Sequence, residues 1–209
     1  MLYRSAFLGL MLSGNAAFAS AAEHCEARPL PEPGPQYHQY VKDVHQTLGI
    51  PDHYKTDTEL QLQAEQDNLK VVDIDINQEV FLLTPEAKDA WLDMQAAARM
   101  DGVVLTLVST FRSVRRQADI IKSRRNKGEP LKEILETSTA PGYSEHHTGD
   151  AIDFTTRGLD ELSEEFADTT AFKWLKENAE RFCFELSYPE DNQKGIAFEP
   201  WHWRFIRAE

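Results

Sequence analysis

Residues 144–153 read SEHHTGDAID, and this stretch most limits what the chain can fold into. It concentrates two histidines, two aspartates and a glycine directly before an apolar residue. On a continuous helix, His146 and Asp153 would be separated by a rise of about 10 Å, too far for two ligands of one ion. Gly149 interrupts any such helix. A turn at this glycine followed by a strand would instead return Asp153 to the side of His146.

A second group of metal-capable residues lies near the C-terminus, where EPWH places Glu199 three residues before His202. Nitrogen and oxygen donors at about 2 Å suit zinc, and a catalytic zinc site usually has three protein ligands and one open position. We therefore predict that His146, Asp153 and His202 bind the metal. Glu199 is predicted to be the general base that activates the attacking water.

Spacing alone leaves the choice of ligands open. His147 could replace His146, and Asp150 could replace Asp153. A histidine and an aspartate at this separation also occur by chance in proteins that bind no metal.

The remaining sequence alternates helical and strand-like segments. Apolar stripes predict helices over residues 37–49, 85–100, 114–126, 130–136 and 169–182, with Thr84 and Ser113 as N-caps of the second and third. Runs rich in β-forming residues predict strands over residues 69–76, 79–83, 103–108, 151–154, 184–188 and 201–206. This pattern predicts an α+β fold with a small, mainly antiparallel sheet and helices packed on it.

The N-terminus has the pattern of a secretory signal peptide. An apolar run at residues 6–12 is too short to span a bilayer, and small residues that fit a cleavage site follow it. We predict a signal peptide over residues 1–21, a proline-rich leader and N-terminal helix over 22–56, and a catalytic domain over 57–209. The mature protein is expected to be a periplasmic monomer without a membrane span.

Net charge and cysteine content limit the possible partners and predict one covalent link. The formal net charge of −13 argues against nucleic acid or an anionic membrane as a partner. The chain has two cysteines, and in an oxidising compartment we predict a disulfide between Cys25 and Cys183. The alternative is one buried thiol and one thiol in a mobile tail.

Several motifs resemble those of a known family. Residues 144–153 match the SxHxxGxAxD signature of the zinc D-alanyl-D-alanine carboxypeptidases and dipeptidases, and residues 199–202 match the ExxH signature. Residues 109–113 (STFRS) are similar to a Ser-x-Tyr-Arg-Ser segment of the VanY-like branch, with Phe111 in place of the usual tyrosine. PGYSEH at residues 141–146 and SYP at 187–189 also match that branch. The resemblance implies the Hedgehog-like zinc peptidase fold.

The resemblance also implies a role for each site residue. It selects His146, Asp153 and His202 as Zn²⁺ ligands and Glu199 as the base. It implies that Arg112 stabilises the oxyanion that forms when water attacks the carbonyl. The residues implied to hold the terminal carboxylate and backbone of the substrate are Ser144, Gln117 and Tyr188.

The implied function is hydrolysis of the C-terminal D-alanine from peptidoglycan stem peptides, a D,D-carboxypeptidase activity. The same motifs also fit an L,D-carboxypeptidase that acts on tetrapeptide stems, or a murein endopeptidase. A protein that binds wall peptides and keeps zinc without catalysis is a fourth possibility. Such a protein would have no need to retain both Glu199 and Arg112.

Overall fold

The structure is a computed structural model that describes residues 25, 32–54, 56, 58–159 and 162–206. The predicted signal peptide lies outside the described residues. The α-helices in the described part of the chain are α1 Pro35–Leu48, α2 Pro85–Met100, α3 Val114–Asn126, α4 Leu131–Thr137 and α5 Thr170–Asn178. The strands there are β1 Lys70–Ile74, β2 Val80–Leu83, β3 Thr106–Ser109, β4 Ala151–Thr155, β5 Phe184–Leu186 and β6 His202–Phe205.

The strands form an antiparallel hairpin and an antiparallel sheet. Strands β1 and β2 pair with each other, and the four-stranded sheet has the order β3-β4-β6-β5. Helices pack around these sheets, so the α+β prediction with a small antiparallel sheet is confirmed. The central strands β4 and β6 are far apart in the sequence, and their pairing sets Ile152 opposite Trp203 and Asp153 opposite His202.

The alternation of side chains along β4 and β6 separates the core from the other face of the sheet. Ile152 and Phe154 from β4, with Trp203 from β6, belong to the main hydrophobic cluster. Helix α2 covers this face through Trp91, whose ring centroid lies 5.0 Å from that of Phe154. Burial of one such large side chain stabilises the fold by about 1.5–3 kcal/mol. The alternate residues, Asp153 among them, point away from this cluster.

A second hydrophobic cluster packs helices α1, α3 and α4 together. Leu48 at the end of α1 shares this cluster with Ile121 of α3, Ile134 of α4 and Tyr188. Helix α1 therefore packs on the same body as the residues that follow it. The division of the chain between residues 56 and 57 stays a prediction.

Most predicted helix ends agree with the structure. Thr84 accepts a hydrogen bond from the backbone N–H of Ala87, and Ser113 accepts one from Arg116, so both are N-caps. The helix predicted to run to residue 182 ends at Asn178 as α5, and a 3₁₀ helix, Ala179–Phe182, continues it. Two further 3₁₀ helices, Glu145–Thr148 and Glu164–Asp168, were not predicted.

The predicted disulfide is present. Cys25 and Cys183 are joined across 158 residues of sequence, with their Cα atoms 5.3 Å apart. The bond ties the N-terminal segment to the turn between the 3₁₀ helix after α5 and strand β5. Among the residues that the structure describes, no helix combines the length and apolar character needed to cross a membrane.

Candidate active site

The local fold of residues 144–153 explains why histidine and aspartate meet. His146 lies in the 3₁₀ helix Glu145–Thr148, and β4 begins at Ala151. Gly149 connects the two elements in the left-handed region, with φ of 70°. A Cβ at this position would lie 2.6 Å from Leu69 Cδ2, so conformation and space both favour glycine. The turn predicted at this glycine is confirmed.

Three side chains converge at the end of this turn. His146 Nε2 lies 3.1 Å from Asp153 Oδ2, and His202 Nδ1 lies 2.8 Å from Asp153 Oδ1. The possible ligand atoms of the three residues all lie within 4.8 Å of one another, and all three side chains are buried. Two imidazole nitrogens and a carboxylate in this arrangement could hold one metal ion.

The hydrogen bonds around His146 leave its Nε2 lone pair available to bind a cation. Nδ1 of His146 lies 2.7 Å from the carbonyl oxygen of Thr110, which can only accept, so Nδ1 carries the hydrogen. Burial lowers the pKa of His146 and favours the neutral ring. The Nε2 lone pair then faces an oxygen of Asp153 at 3.1 Å. A cation between these two acceptors would satisfy both of them, and the donor set fits a zinc ion.

The alternative ligands have other hydrogen bonds. His147 Nε2 accepts from the backbone N–H of Gly142 at 3.0 Å, and Nδ1 therefore donates to the carbonyl oxygen of Arg112. Burial lowers the pKa of His147 to about 4, which keeps the ring neutral. Asp150 Oδ1 accepts from the Thr84 hydroxyl at 2.6 Å. His147 and Asp150 thus fasten the segment to its neighbours.

The charges of the three converging residues are strongly coupled. Burial alone would raise the pKa of Asp153, but the charges and hydrogen bonds of His146 and His202 hold it well below its ordinary value. Burial opposes protonation of His202, yet hydrogen bonds to Asp153 and Glu145 raise its pKa to about 10. A divalent cation would satisfy the same carboxylate and would replace the proton on the ring.

Glu199 lies beside the three residues and is mostly buried. Its Oε2 is 4.0 Å from His202 Nδ1, and the N–H of His202 donates to the carbonyl oxygen of Glu199 within the turn. Burial raises the pKa of Glu199 to about 7, while His202 opposes that shift. A carboxyl group that titrates near neutral pH is suited to proton transfer.

Arg112 is held rigidly at the edge of the same site. Its guanidinium donates to Gln117 Oε1 and to Ser109 Oγ, each at 2.8 Å, and lies 3.6 Å from Asp153 Oδ2. Its backbone N–H donates to the carbonyl oxygen of His146 at 3.1 Å. Burial lowers the pKa of Arg112, with Asp153 opposing the shift, but a guanidinium stays charged in proteins.

The residues predicted to bind substrate lie around this group. Ser144, Gln117 and Tyr188 line the same cleft as Arg112 and Glu199. Gln117 is 1% exposed, accepts from Arg112 and donates to the carbonyl oxygen of Thr139 at 2.7 Å. The Tyr188 ring lies with its centroid 4.8 Å from that of His202.

Sequence reasoning missed Glu145. This residue is 2% exposed, and its Oε2 lies 3.1 Å from His202 Nε2. Burial alone would raise the pKa of Glu145, but His202 and the charge of Lys194 hold it well below its ordinary value. A charged residue inside an otherwise small and polar segment was the available signal. Its partner is 57 positions away, and no spacing rule connects the two.

Comparison with known proteins identifies the family of the chain. The family model "VanY: D-alanyl-D-alanine carboxypeptidase" matches residues 81–208. A D-alanyl-D-alanine carboxypeptidase of Enterococcus faecalis is 34% identical over 127 residues, which are 56% of this chain and 46% of that protein. The chain spans about half the length of the curated relatives it matches.

Solved structures share the fold. The LD-carboxypeptidase LdcB superposes with a TM-score of 0.60 at 34% identity, covering 69% of this chain and 70% of that chain. A variant of the vancomycin-resistance D,D-pentapeptidase VanY in complex with Zn(II) superposes with a TM-score of 0.52 at 28% identity, covering 71% and 88%. The family match extends over more than half of the sequence and includes every residue of the converging group. The chain belongs to the VanY family of D-alanyl-D-alanine carboxypeptidases.

Proposed function

We propose that this chain is an exported zinc D,D-carboxypeptidase that removes the C-terminal D-alanine from peptidoglycan stem peptides. The observation that carries the proposal is the convergence of His146, Asp153 and His202, whose possible ligand atoms all lie within 4.8 Å of one another, beside Glu199 and Arg112. Three protein ligands at the wall of an open cleft are typical of catalytic rather than structural zinc. The VanY relative with Zn(II) supports the choice of metal.

Glu199 and Arg112 have distinct roles in the proposed peptide hydrolysis. When bound, zinc supplies a Lewis acid that polarises the scissile carbonyl and makes water more acidic. Glu199 takes a proton from the attacking water and gives it to the nitrogen of the departing D-alanine as the C–N bond breaks. Arg112 directs its positive charge at the oxygen on which negative charge develops.

Binding of the substrate is assigned to the remaining cleft residues. Ser144 and Tyr188 line the cleft and are proposed to hold the terminal carboxylate and the peptide backbone. The family resemblance implies the same role for Gln117. Its hydrogen bonds to Arg112 and Thr139 support an added role, in which it orients the guanidinium.

The compartment and organisation of the chain are part of the proposal. A signal peptide over residues 1–21 would export the protein to the periplasm, where a Cys25–Cys183 disulfide is stable. Residues 22–56 would then form a leader and helix before a catalytic domain of residues 57–209, acting as a monomer. The acidic net charge of −13 disfavours nucleic acid as a partner.

A second candidate is an L,D-carboxypeptidase that removes D-alanine from tetrapeptide stems. The similarity to the LD-carboxypeptidase LdcB favours it. Both activities need the same metal, base and arginine, so they differ only in the stem peptide that the cleft accepts. A murein endopeptidase and a wall-peptide binding protein remain further alternatives.

The test uses purified muropeptides with pentapeptide and tetrapeptide stems. The mature protein loaded with Zn²⁺ is incubated with each, and mass spectrometry follows the loss of one alanine with and without a chelator. Chelator-sensitive loss from the pentapeptide is the expected result. Loss from the tetrapeptide alone would replace the D,D assignment by the L,D assignment. Cleavage of crosslinked dimers alone would favour an endopeptidase, and turnover of none would favour a binding protein.

A further inference from the structure

Glu145 is a buried carboxylate to which the mechanism above gives no task. Its Oε2 lies 3.1 Å from Nε2 of His202, on the opposite side of the ring from Asp153. Its Oε1 accepts from Lys194 Nζ at 2.8 Å and lies 3.5 Å from Arg204 Nη1. A carboxylate that is 2% exposed is costly unless it is paired and hydrogen-bonded, and these three contacts offset that cost.

The direction of the hydrogen bond decides which nitrogen of His202 is available. An ionised carboxylate only accepts, so the hydrogen between the two residues belongs to Nε2 of the imidazole. A neutral ring with its hydrogen on Nε2 has its lone pair on Nδ1. Nδ1 is the atom that lies 2.8 Å from Asp153 Oδ1 and faces the three-residue group. Glu145 thereby selects the tautomer and fixes the rotation of the ring.

The fold aligns all the partners of Glu145 on one side of the sheet. His202 and Arg204 are two residues apart on β6 and point to the same face, whereas Trp203 between them points into the core. Glu145 immediately precedes His146 in the 3₁₀ helix. The same short helix therefore provides one candidate metal ligand, His146, and the hydrogen-bond acceptor for a second candidate ligand, His202.

We propose that Glu145 is a positioning residue that holds His202 with Nδ1 directed at the metal, supported by Lys194 and Arg204. The inference rests on the proposed zinc function. Glu145 does not touch the substrate in this role and acts only through His202. Outer carboxylates of this kind change metal affinity by 10–100-fold when they are removed.

A purely structural role would have a different signature. Glu145 could serve only to neutralise Lys194 and Arg204. Both cations are about a quarter exposed and could turn to solvent if the carboxylate were lost. In that case, replacement of Glu145 would alter folding stability without changing the affinity of the folded protein for zinc.

The experiment compares Glu145→Ala and Glu145→Gln with the wild type and with Glu185→Gln as a matched control. Glu185 lies 3.6 Å from the other terminal nitrogen of the Arg204 guanidinium. Zinc affinity is measured by competition with a chromophoric chelator, and unfolding of the chelator-treated proteins is measured in parallel. We expect a 10–100-fold loss of affinity for Glu145→Ala and a smaller loss for Glu145→Gln, which keeps an acceptor oxygen. Glu185→Gln should match the wild type.

A second readout follows the ring itself. Nitrogen-15 NMR of the histidine side chains should show the Nε2–H form of His202 with zinc bound in the wild type. Zinc on Nδ1 enforces this form in every variant, so the informative signal is the hydrogen bond to Glu145: Glu145→Ala should shift the Nε2–H resonance of His202. A folded Glu145→Ala protein with zinc affinity within about twofold of the wild type and an unchanged Nε2–H resonance would overturn the proposal. If either Glu145 variant fails to fold, the zinc affinity of Lys194→Met is measured instead. An unchanged affinity in that variant would overturn the proposed support of Glu145 by Lys194.

The two proposals fail in distinguishable ways. A wild-type protein that binds zinc but releases no alanine from stem peptides refutes the proposed function and leaves the affinity comparison intact. A wild-type protein that binds no zinc refutes both.

Discussion

Replacement of Glu199 by glutamine removes the proposed base with almost no change of shape. Glutamine cannot accept a proton, so we expect kcat/KM for stem peptides to fall by about 10²–10⁴-fold. At 1.36 kcal/mol for each factor of ten, that loss raises the barrier by about 3–5 kcal/mol. Zinc affinity should change little because Glu199 is not one of the three converging residues.

The same residue predicts the pH dependence of the wild type. Burial raises the pKa of Glu199 to about 7, and a base acts only when it is deprotonated, so activity should rise with pH up to this region. Below the inflection, kcat/KM should fall by about tenfold for each pH unit, as the ionised fraction does. A bound cation favours the carboxylate, so the inflection is expected at or below pH 7.

The assay measures kcat/KM between pH 4.5 and pH 8, with zinc content determined for each protein. Glu190→Gln is the control, because Glu190 is an exposed glutamate on the segment that connects β5 to β6. It should behave as the wild type at every pH. The assignment of the base is wrong if Glu199→Gln binds zinc normally, keeps kcat/KM within about tenfold of the wild-type value, and still loses activity below the inflection as the wild type does.

Three further predictions concern the arginine, the turn and the disulfide. Arg112→Lys should lower kcat by about tenfold or more with zinc content unchanged, measured by steady-state kinetics, because lysine cannot make both side-chain hydrogen bonds. Gly149→Ala should lower the free energy of unfolding by about 1–3 kcal/mol in denaturant titrations, through positive φ and contact with Leu69; an unchanged value would contradict this. Loss of the Cys25–Cys183 bond by serine replacement should destabilise the protein by up to about 5 kcal/mol in the same titrations.

Local chemistry accounts for the parts of the fold that were predictable. The N-caps at Thr84 and Ser113 involve residues three positions apart, so the sequence alone contains both partners. Gly149 likewise predicts a turn from the sequence alone, because few other residues adopt positive φ without strain. The 3₁₀ helix over residues 145–148 was missed because one short turn has no periodic pattern that the sequence could reveal.

The site was predictable as a set of residues but less so as a network. The two signatures identified the metal-binding and proton-transfer candidates. They could not show that Gln117 bonds to Arg112 and Thr139, or that Glu145 reaches His202, because these contacts depend on how α3 and β6 lie against the 3₁₀ segment. Such contacts are long-range products of packing, and residue spacing does not encode them.

The core and the site depend on each other through the register of β6. Side chains alternate along a strand, so a slip of one residue would turn His202 into the core and Trp203 into the cleft. Trp203 is 3% exposed, packs in the main cluster and donates from its indole N–H to the carbonyl oxygen of Pro200 at 3.0 Å. Burying a polar imidazole in the core would cost free energy, and so would moving the apolar indole out of it. The apolar packing of Trp203 is therefore what keeps Asp153 and His202 opposite each other, and the geometry of the metal group follows from the hydrophobic core behind it.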